Sequence, residues 1–254
     1  TQVARACEDI SDVSPSMIEL AARIQFFDGM KTEEIDSLLL KAMVNLIDVT
    51  ANSDINHTNY QFVAGKQRLA MLRKEVYGRY TPPRLYEIVK TNIETGLYTK
   101  ELLDWYTEAE WDQIDRFVNH KKDEDLSYAA VEQLIKKYLV QNRSAKKVYE
   151  TPQVRYAVAA ATAFHMEKTD RLKYVKEYYT HASNGHFSLA TPVLAGLGTP
   201  TKQFSSCVLI STNDSLKSIF ATGEMMADYA ANRAGLGLEI GRIRGIGAAV
   251  KKGL

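Results

Sequence analysis

Phe204-Ser205-Ser206-Cys207-Val208-Leu209-Ile210 is followed, after a short polar break, by Asp214-Ser215-Leu216 and then by Arg233-Ala234-Gly235-Leu236-Gly237-Leu238-Glu239-Ile240-Gly241-Arg242-Ile243-Arg244. Cys207 to Ile210 is a continuous apolar run, the pattern of a strand covered on both faces. Asp214 is a capping residue, and the helix it opens has its apolar positions at Leu216, Ile219, Phe220, Met226 and Tyr229, which predicts a buried face there. Leu236 to Ile243 predicts a second strand. Strand, helix and strand within about 40 residues make a βαβ unit, whose crossover helix lets the two strands run parallel. Loop chemistry precedes the unit, in Thr191-Pro192, Gly196, Gly198 and Thr199-Pro200.

Working outward, the residues before Gly185 read as almost wholly helical. Met17, Leu20, Ala21 and Ile24 share helical spacing. Thr32 is placed to cap a helix with Glu33 and Glu34 in its first turn, where the helix dipole favours acids, and Ile35, Leu38, Leu39, Ala42 and Leu46 form its buried face. A helix over Tyr60 to Tyr77 has to stop before Pro82-Pro83. Leu85, Ile88 and Val89 share a face. Thr107 to Glu110 is a capping box ahead of Trp111, Ile114, Phe117 and Val118, and Val131, Leu134, Ile135 and Tyr138 form another stripe. Leu139-Val140-Gln141 and Lys147-Val148-Tyr149 predict a small hairpin. Thr151-Pro152 opens a helix running to Met166, and Leu172, Val175 and Tyr179 mark one more. The fold class is therefore α/β: a mostly helical N-terminal region, then the start of a parallel sheet.

Composition narrows the function. The chain has 254 residues, with 32 basic against 31 acidic side chains and a net charge of +1. That balance supplies no electrostatic groove for nucleic acid, although small anions need only local positive charge. No basic-then-apolar leader opens the sequence, and no run approaches the roughly 20 apolar residues of a membrane helix, the longest being Ala157 to Phe164. Cys7 and Cys207 are the two cysteines, too few for a disulfide framework, and a reducing, cytoplasmic setting is expected. His57, His120, His165, His181 and His186 form no H-x-H or H-x-x-x-H pair, so no metal site is expected.

Two features carry chemistry. Cys207 has two readings: a small buried apolar residue, or a reactive thiol beside the hydroxyls and amides of Ser205, Ser206, Thr199 and Thr201, which can hold a phosphate or sugar against the sulfur. Gly235 to Gly241 is spaced G-x-G-x-x-x-G and follows a helix, so it is not the dinucleotide fingerprint, which follows a strand and opens a helix. Its glycines serve close backbone approach equally well. Arg242 and Arg244, two apart, share a face if the strand continues through them; each is an ordinary surface arginine or a phosphate ligand.

With these residues in view, the chain resembles the large, catalytic (alpha) subunit of class I ribonucleotide reductases. The resemblance covers nearly the whole sequence and rests on Thr199-Pro200-Thr201-Lys202-Gln203-Phe204-Ser205-Ser206-Cys207, Asp214-Ser215-Leu216 and Arg233 to Arg244. Tyr138 to Arg143, Tyr149 to Gln153 and Ser188 to Pro192 support it. It implies thiyl-radical reduction of ribonucleoside diphosphates to deoxyribonucleoside diphosphates for DNA precursor synthesis, with a cysteine pair as reductant and Cys207 as one of the pair. It implies substrate contacts at Thr191, Ser206 and Gly235, and a specificity-effector site at Asp214, Ser215, Leu216 and Arg244. It further implies an activity-effector site at Thr32 and Lys74, although Asp36 stands where a histidine is usual and the basic, glycine-bearing strand segment that opens that domain has no counterpart here.

The implied organisation is a partial ATP-cone-like domain over 1–80, a helical domain over 81–200 and the start of the ten-stranded reductase α/β barrel over 201–254. The implied effectors are ATP, dATP, dTTP and dGTP. The implied partners are the remainder of the large subunit, a second large subunit meeting the helix from Ser215, a small subunit carrying the radical metallocofactor, and thioredoxin or glutaredoxin as reductant. The radical cysteine and the second reducing thiol are expected beyond Leu254, which makes the chain catalytically incomplete alone, like an N-terminal fragment. Two rival readings stand beside this one. The chain is a non-catalytic nucleotide-binding or assembly module, or it is a transferase with Cys207 as nucleophile, which needs a base brought close by the fold.

Overall fold

The computed structural model describes residues 1–23, 25–47, 57–201, 203–232 and 234–249. Ile24, Lys202, Arg233 and Leu254, which figure in the sequence reading, lie outside the described residues, as does the side chain of His57. Two compact units divide the chain: Thr1–Ser188 with Leu197–Pro200, and Leu189–Gly196 with Thr201–Leu254.

The first unit is helical. It contains α1 (Gln2–Cys7), α2 (Pro15–Arg23), α3 (Thr32–Asn45), α4 (Tyr60–Tyr77), α5 (Leu85–Glu94), α6 (Glu101–Trp105), α7 (Glu108–Phe117) and α8 (Tyr128–Gln133). A hairpin of β1 (Gln141–Asn142) and β2 (Lys147–Val148) follows, then α9 (Pro152–Ala163) and α10 (Arg171–Ser183). Three apolar clusters hold it together. Val3, Ile18, Ala22, Leu39, Met43, Tyr60 and Val63 join α1 to α4. Leu69, Leu72, Val131, Leu134, Ile135, Leu139 and Val148 continue from α4 to the hairpin. Trp111, Ile114, Val154, Val158, Val175 and Tyr179 belong to the third, around α7, α9 and α10. The helix α4 thus feeds two clusters from opposite ends of its length.

Local chemistry explains most boundaries. Thr107 accepts from the Glu110 amide at 3.3 Å while Glu110 accepts from the Thr107 amide at 2.9 Å, the reciprocal capping box read from the sequence. The Tyr149 amide closes the hairpin on the Val140 carbonyl at 3.0 Å. Behind the hairpin sits a fully buried ion pair: Glu150 accepts from the Val140 amide at 2.6 Å and from Arg155 Nη1 at 3.4 Å, and also takes the Tyr98 hydroxyl, while Arg155 donates to the Leu197 carbonyl. A buried pair of this kind is tolerated when most of its polar atoms are matched, and here Arg155 Nε is left without a hydrogen-bond partner.

Several expectations are corrected. The buried side of α2 is Ile18 and Ala22, while Met17 and Leu20 are exposed, because the neighbouring helices contact the stripe one residue further round. Lys31, not Thr32, is the N-cap of α3: the Glu34 carboxylate accepts from the Lys31 amide at 3.0 Å and starts the helix one residue earlier. Thr151 occupies the N-cap of α9, yet its hydroxyl is bonded to Tyr77 Oη at 3.1 Å. That helix ends at Ala163, three residues before Met166.

The second unit contains α11 (Thr191–Gly196), β3 (Cys207–Ser211), α12 (Leu216–Ala231) and β4 (Gly235–Glu239). β3 and β4 pair in parallel, with Cys207 opposite Gly235 and Ser211 opposite Glu239, so the βαβ reading holds. The second strand is shorter than expected. It stops at Glu239, and the Ile243 amide bonds the Ile240 carbonyl at 3.0 Å in a turn that carries Arg242 and Arg244 off the sheet. Nor is β3 covered on both sides: Ile210 is buried, but Leu209 is 89% exposed, because α12 packs on one face of the strand pair only. The helix keeps only Met226 of the predicted face on its less exposed side. Ser218, Thr222 and Met226, four apart, are its less exposed stripe, while Leu216 and Phe220 are 73% and 75% exposed.

Candidate functional site

At the N-terminal end of the strand pair, the Gly235 amide donates to the Ser206 carbonyl at 2.7 Å. In-register parallel pairing sends the side chains of residues 207 and 235 to the same face, and position 235 has none. A Cβ built on Gly235 would lie 3.6 Å from Cys207 Sγ and 3.5 Å from the Ser206 carbonyl. Those are ordinary contacts, so the backbone does not demand glycine here; glycine instead leaves the sulfur's flank open. Cys207 is a free, exposed thiol with the Ser206 hydroxyl 4.0 Å away. The sulfur of Cys207 is thus open to solvent in this chain, the arrangement that its reading as a reactive thiol calls for. Thr191 opens α11, whose last residue, Gly196, stands against the Phe204 ring leading into β3.

The C-terminal end of the strands gathers the second set. Ser215, rather than Asp214, caps α12, its hydroxyl accepting from the Ser218 amide at 3.2 Å. Asp214 is thereby left to accept from Arg244 Nε at 2.6 Å. The same arginine reaches the Ala249 carbonyl and so folds the chain after β4 back toward the helix start. Arg242 extends to Asn213 Oδ1 at 3.4 Å and to Glu239 Oε2 at 3.6 Å. Asp214, Ser215, Leu216 and Arg244 therefore meet at one helix N-terminus, where backbone N–H groups and a guanidinium face solvent together and suit an anion. Sequence reasoning missed Asn213 and Ser218, whose hydroxyl accepts from the Asn213 amide at 2.9 Å. The polar run Thr212-Asn213-Asp214-Ser215 with a serine three residues on was the available signal.

Two family models match the chain in succession: the ribonucleotide reductase all-alpha domain over residues 124–202, and the ribonucleotide reductase barrel domain over residues 205–253. The chain belongs to the class I ribonucleotide reductase large-subunit family. It is 44% identical over 249 residues to ribonucleoside-diphosphate reductase 1 subunit alpha of Escherichia coli, an alignment covering 98% of this chain and 32% of that one. The subunit alpha of Enterobacteria phage T4 is 37% identical, with 89% and 29% covered, and that of Synechocystis is 27% identical, with 93% and 30% covered. The chain thus spans about a third of the length of the curated relatives it matches. Its fold is a mostly helical N-terminal region leading into the start of the reductase α/β barrel, with β3, α12 and β4 lying in the barrel match.

In this reductase-family chain, Thr32 and Lys74 belong to the first unit. Thr32 begins α3, and Lys74 Nζ bonds Asp36 Oδ2 at 2.8 Å. The buried Asp36 also accepts from Gln2 Nε2 at 2.6 Å. The Asp36 carboxylate is thus paired with the lysine that the resemblance leads us to expect at a nucleotide. Among the described residues, no group of three or more His, Cys, Asp and Glu side chains is arranged to hold a metal ion, and no helix is long and apolar enough to cross a membrane.

Proposed function

We propose that this chain supplies one reducing thiol and the specificity-effector site of an assembled ribonucleoside-diphosphate reductase of the cytoplasm. A cysteine thiyl radical elsewhere in the large subunit takes the substrate's 3′ hydrogen. The 2′ hydroxyl leaves as water, and the 3′ hydrogen is returned at the end of the turnover, which restores the thiyl radical. Cys207 and a second thiol then give up two electrons and two protons and join as a disulfide, which thioredoxin or glutaredoxin reduces again. Thr191, Ser206 and Gly235 hold the substrate. Asp214, Ser215, Leu216 and Arg244 take the effector nucleotide, Arg244 meeting its phosphates, and Thr32 with Lys74 forms a weakened activity site for ATP or dATP. Residues 1–80, 81–200 and 201–254 divide these tasks. The radical metallocofactor resides on the small subunit. A second large subunit meets α12.

The observation that carries this reading is the open sulfur of Cys207 flanked by a residue with no side chain. Cys207→Ser, tested in enzyme rebuilt from this chain, the complementary polypeptide and the small subunit, should abolish CDP reduction while leaving effector binding intact. Retained turnover overturns it. One observation favours the assembly-module reading for the chain in isolation. Cys7, the other cysteine, is buried in α1, and burial raises its thiol pKa, so it is a poor reductant partner. Failure of the complementary polypeptide to restore reduction would favour that module.

A further inference from the structure

The last turn of α10 carries an arrangement unrelated to the reductase sites. His181 and His186 are five apart, a spacing that does not share a helical face. Gly185 brings them together. It is left-handed, at φ 71. The Gly185 amide bonds the Ala182 carbonyl at 3.1 Å and the His186 amide bonds the His181 carbonyl at 3.0 Å, the two bonds of a Schellman helix end. In that motif the first and last residues commonly make an apolar contact. Here both are imidazoles, exposed, with Nδ1 atoms 2.8 Å apart and rings tilted by 50°. Lys122 Nζ fixes the same turn by donating to Ser183 Oγ at 2.9 Å and to Asn184 Oδ1 at 2.6 Å.

We propose that His181 and His186 form a two-imidazole site for a late first-row divalent metal ion, Cu²⁺ or Ni²⁺ ahead of Zn²⁺, with water completing the coordination. Two imidazoles completed by water make a nitrogen and oxygen ligand set, which suits tetragonal Cu²⁺ and Ni²⁺, whereas structural zinc sites draw four protein ligands. The Nδ1 atoms, 2.8 Å apart, are close enough for one ion to take both. In the metal-free pair one Nδ1–H donates to the other Nδ1. On binding, that proton leaves Nδ1 while solvent returns one to Nε2 of the same ring, so no net proton is lost. Each ring then turns about its Cβ–Cγ bond until both lone pairs converge beside the nitrogen–nitrogen line, a motion open to solvent-exposed rings.

The test is titration of the tag-free chain with Cu²⁺ in a non-coordinating buffer, followed by electron paramagnetic resonance and calorimetry. One tight equivalent with coupling to two imidazole nitrogens is expected. His181→Gln and His186→Ala, made separately and with unchanged circular dichroism, should each weaken it by about tenfold or more, since even outer partners of a ligand are worth that much. His165→Ala, on the ring stacked 3.8 Å from Trp105, should leave it unaltered. Binding that survives both substitutions with the same nitrogen count, or no two-nitrogen signal in the unaltered chain, overturns the proposal.

Discussion

Asp123 is fully buried, and its two oxygens are treated unequally. Gln153 Nε2 donates to Oδ1 at 2.9 Å, while Oδ2 has no hydrogen-bond partner and Arg73 Nη2 stands 4.0 Å off. Burial therefore outweighs the Gln153 bond and the Arg73 charge, and the carboxyl is pushed up to about 7. The His120 imidazole is pushed down to about 4, by burial first and then by Arg73. The two act oppositely on stability. From about pH 4 to 7 the folded chain keeps a proton on Asp123 that the unfolded chain has lost, so that contribution declines as pH rises, by up to about 1.4 kcal/mol per unit. From about pH 6.5 down to 4 the unfolded chain takes up a proton on His120 that the folded chain refuses, so that contribution declines as pH drops. Urea midpoints should show the cancellation being lifted: relative to the unaltered chain, Asp123→Asn should lose stability on acidification from pH 6.5, and His120→Gln should gain it. Superimposable pH profiles for all three would refute the assignment. Arg244 and Asp214, each about a third exposed, contribute at most about 1 kcal/mol to stability. Arg244→Ala should therefore weaken effector binding in a nucleotide titration with almost no change in melting temperature. Unchanged affinity would remove Arg244 from the proposed effector site.

At the scale of elements, α4 lies directly on the backbone that opens α8. A Cβ on Gly65 would sit 2.1 Å from the Leu126 carbonyl oxygen. Alanine gains about 1 kcal/mol of helix propensity over glycine, but a clash with main chain has no flexible tip to yield. Gly65→Ala should therefore lower stability by about 2 kcal/mol, in the range of overpacked cores, whereas Gly223→Ala in α12, with open space around it, should raise it slightly; urea denaturation of both variants checks the contrast. The extent of α4, the capping box of α7, the hairpin and the βαβ unit were all legible in sequence, because each is decided by neighbours in the chain. The faces of α2 and α12 were not. Periodicity shows that Leu216, Ile219 and Phe220 form a stripe, but not which neighbour meets it, and the less exposed side of α12 runs through Ser218, Thr222 and Met226, of which only Met226 was expected. His181 and His186 escaped for a related reason: a left-handed glycine undoes the helical spacing on which ligand motifs are read.

At the scale of the whole molecule, the exposed stripe on α12 is an unpaired apolar surface of the kind that marks an interface. On the proposed reading a second large subunit covers it. Phe220→Asp should then shift sedimentation toward the monomer in the reconstituted enzyme, and an unaltered dimer would place the contact elsewhere. The substrate end of the site was partly legible for a global reason. Parallel pairing sets Cys207 against Gly235 once the βαβ unit is recognised, although they are 28 positions apart in the chain. The exposure of the sulfur was not legible, since an apolar run reads the same whether or not a layer lies over it.

The buried Glu150 has a further consequence. Its carboxylate ties Tyr98, the Val140 amide and Arg155 to one point, and Arg155 passes the tie to Leu197. Strands of two residues have little cohesion of their own. Releasing the hairpin alone would take the Val140 amide from a buried carboxylate oxygen, which would keep only the longer bond to Arg155. Its opening is thereby coupled to that of the helices around it, and a segment that looks like a peripheral flap behaves instead as a keystone.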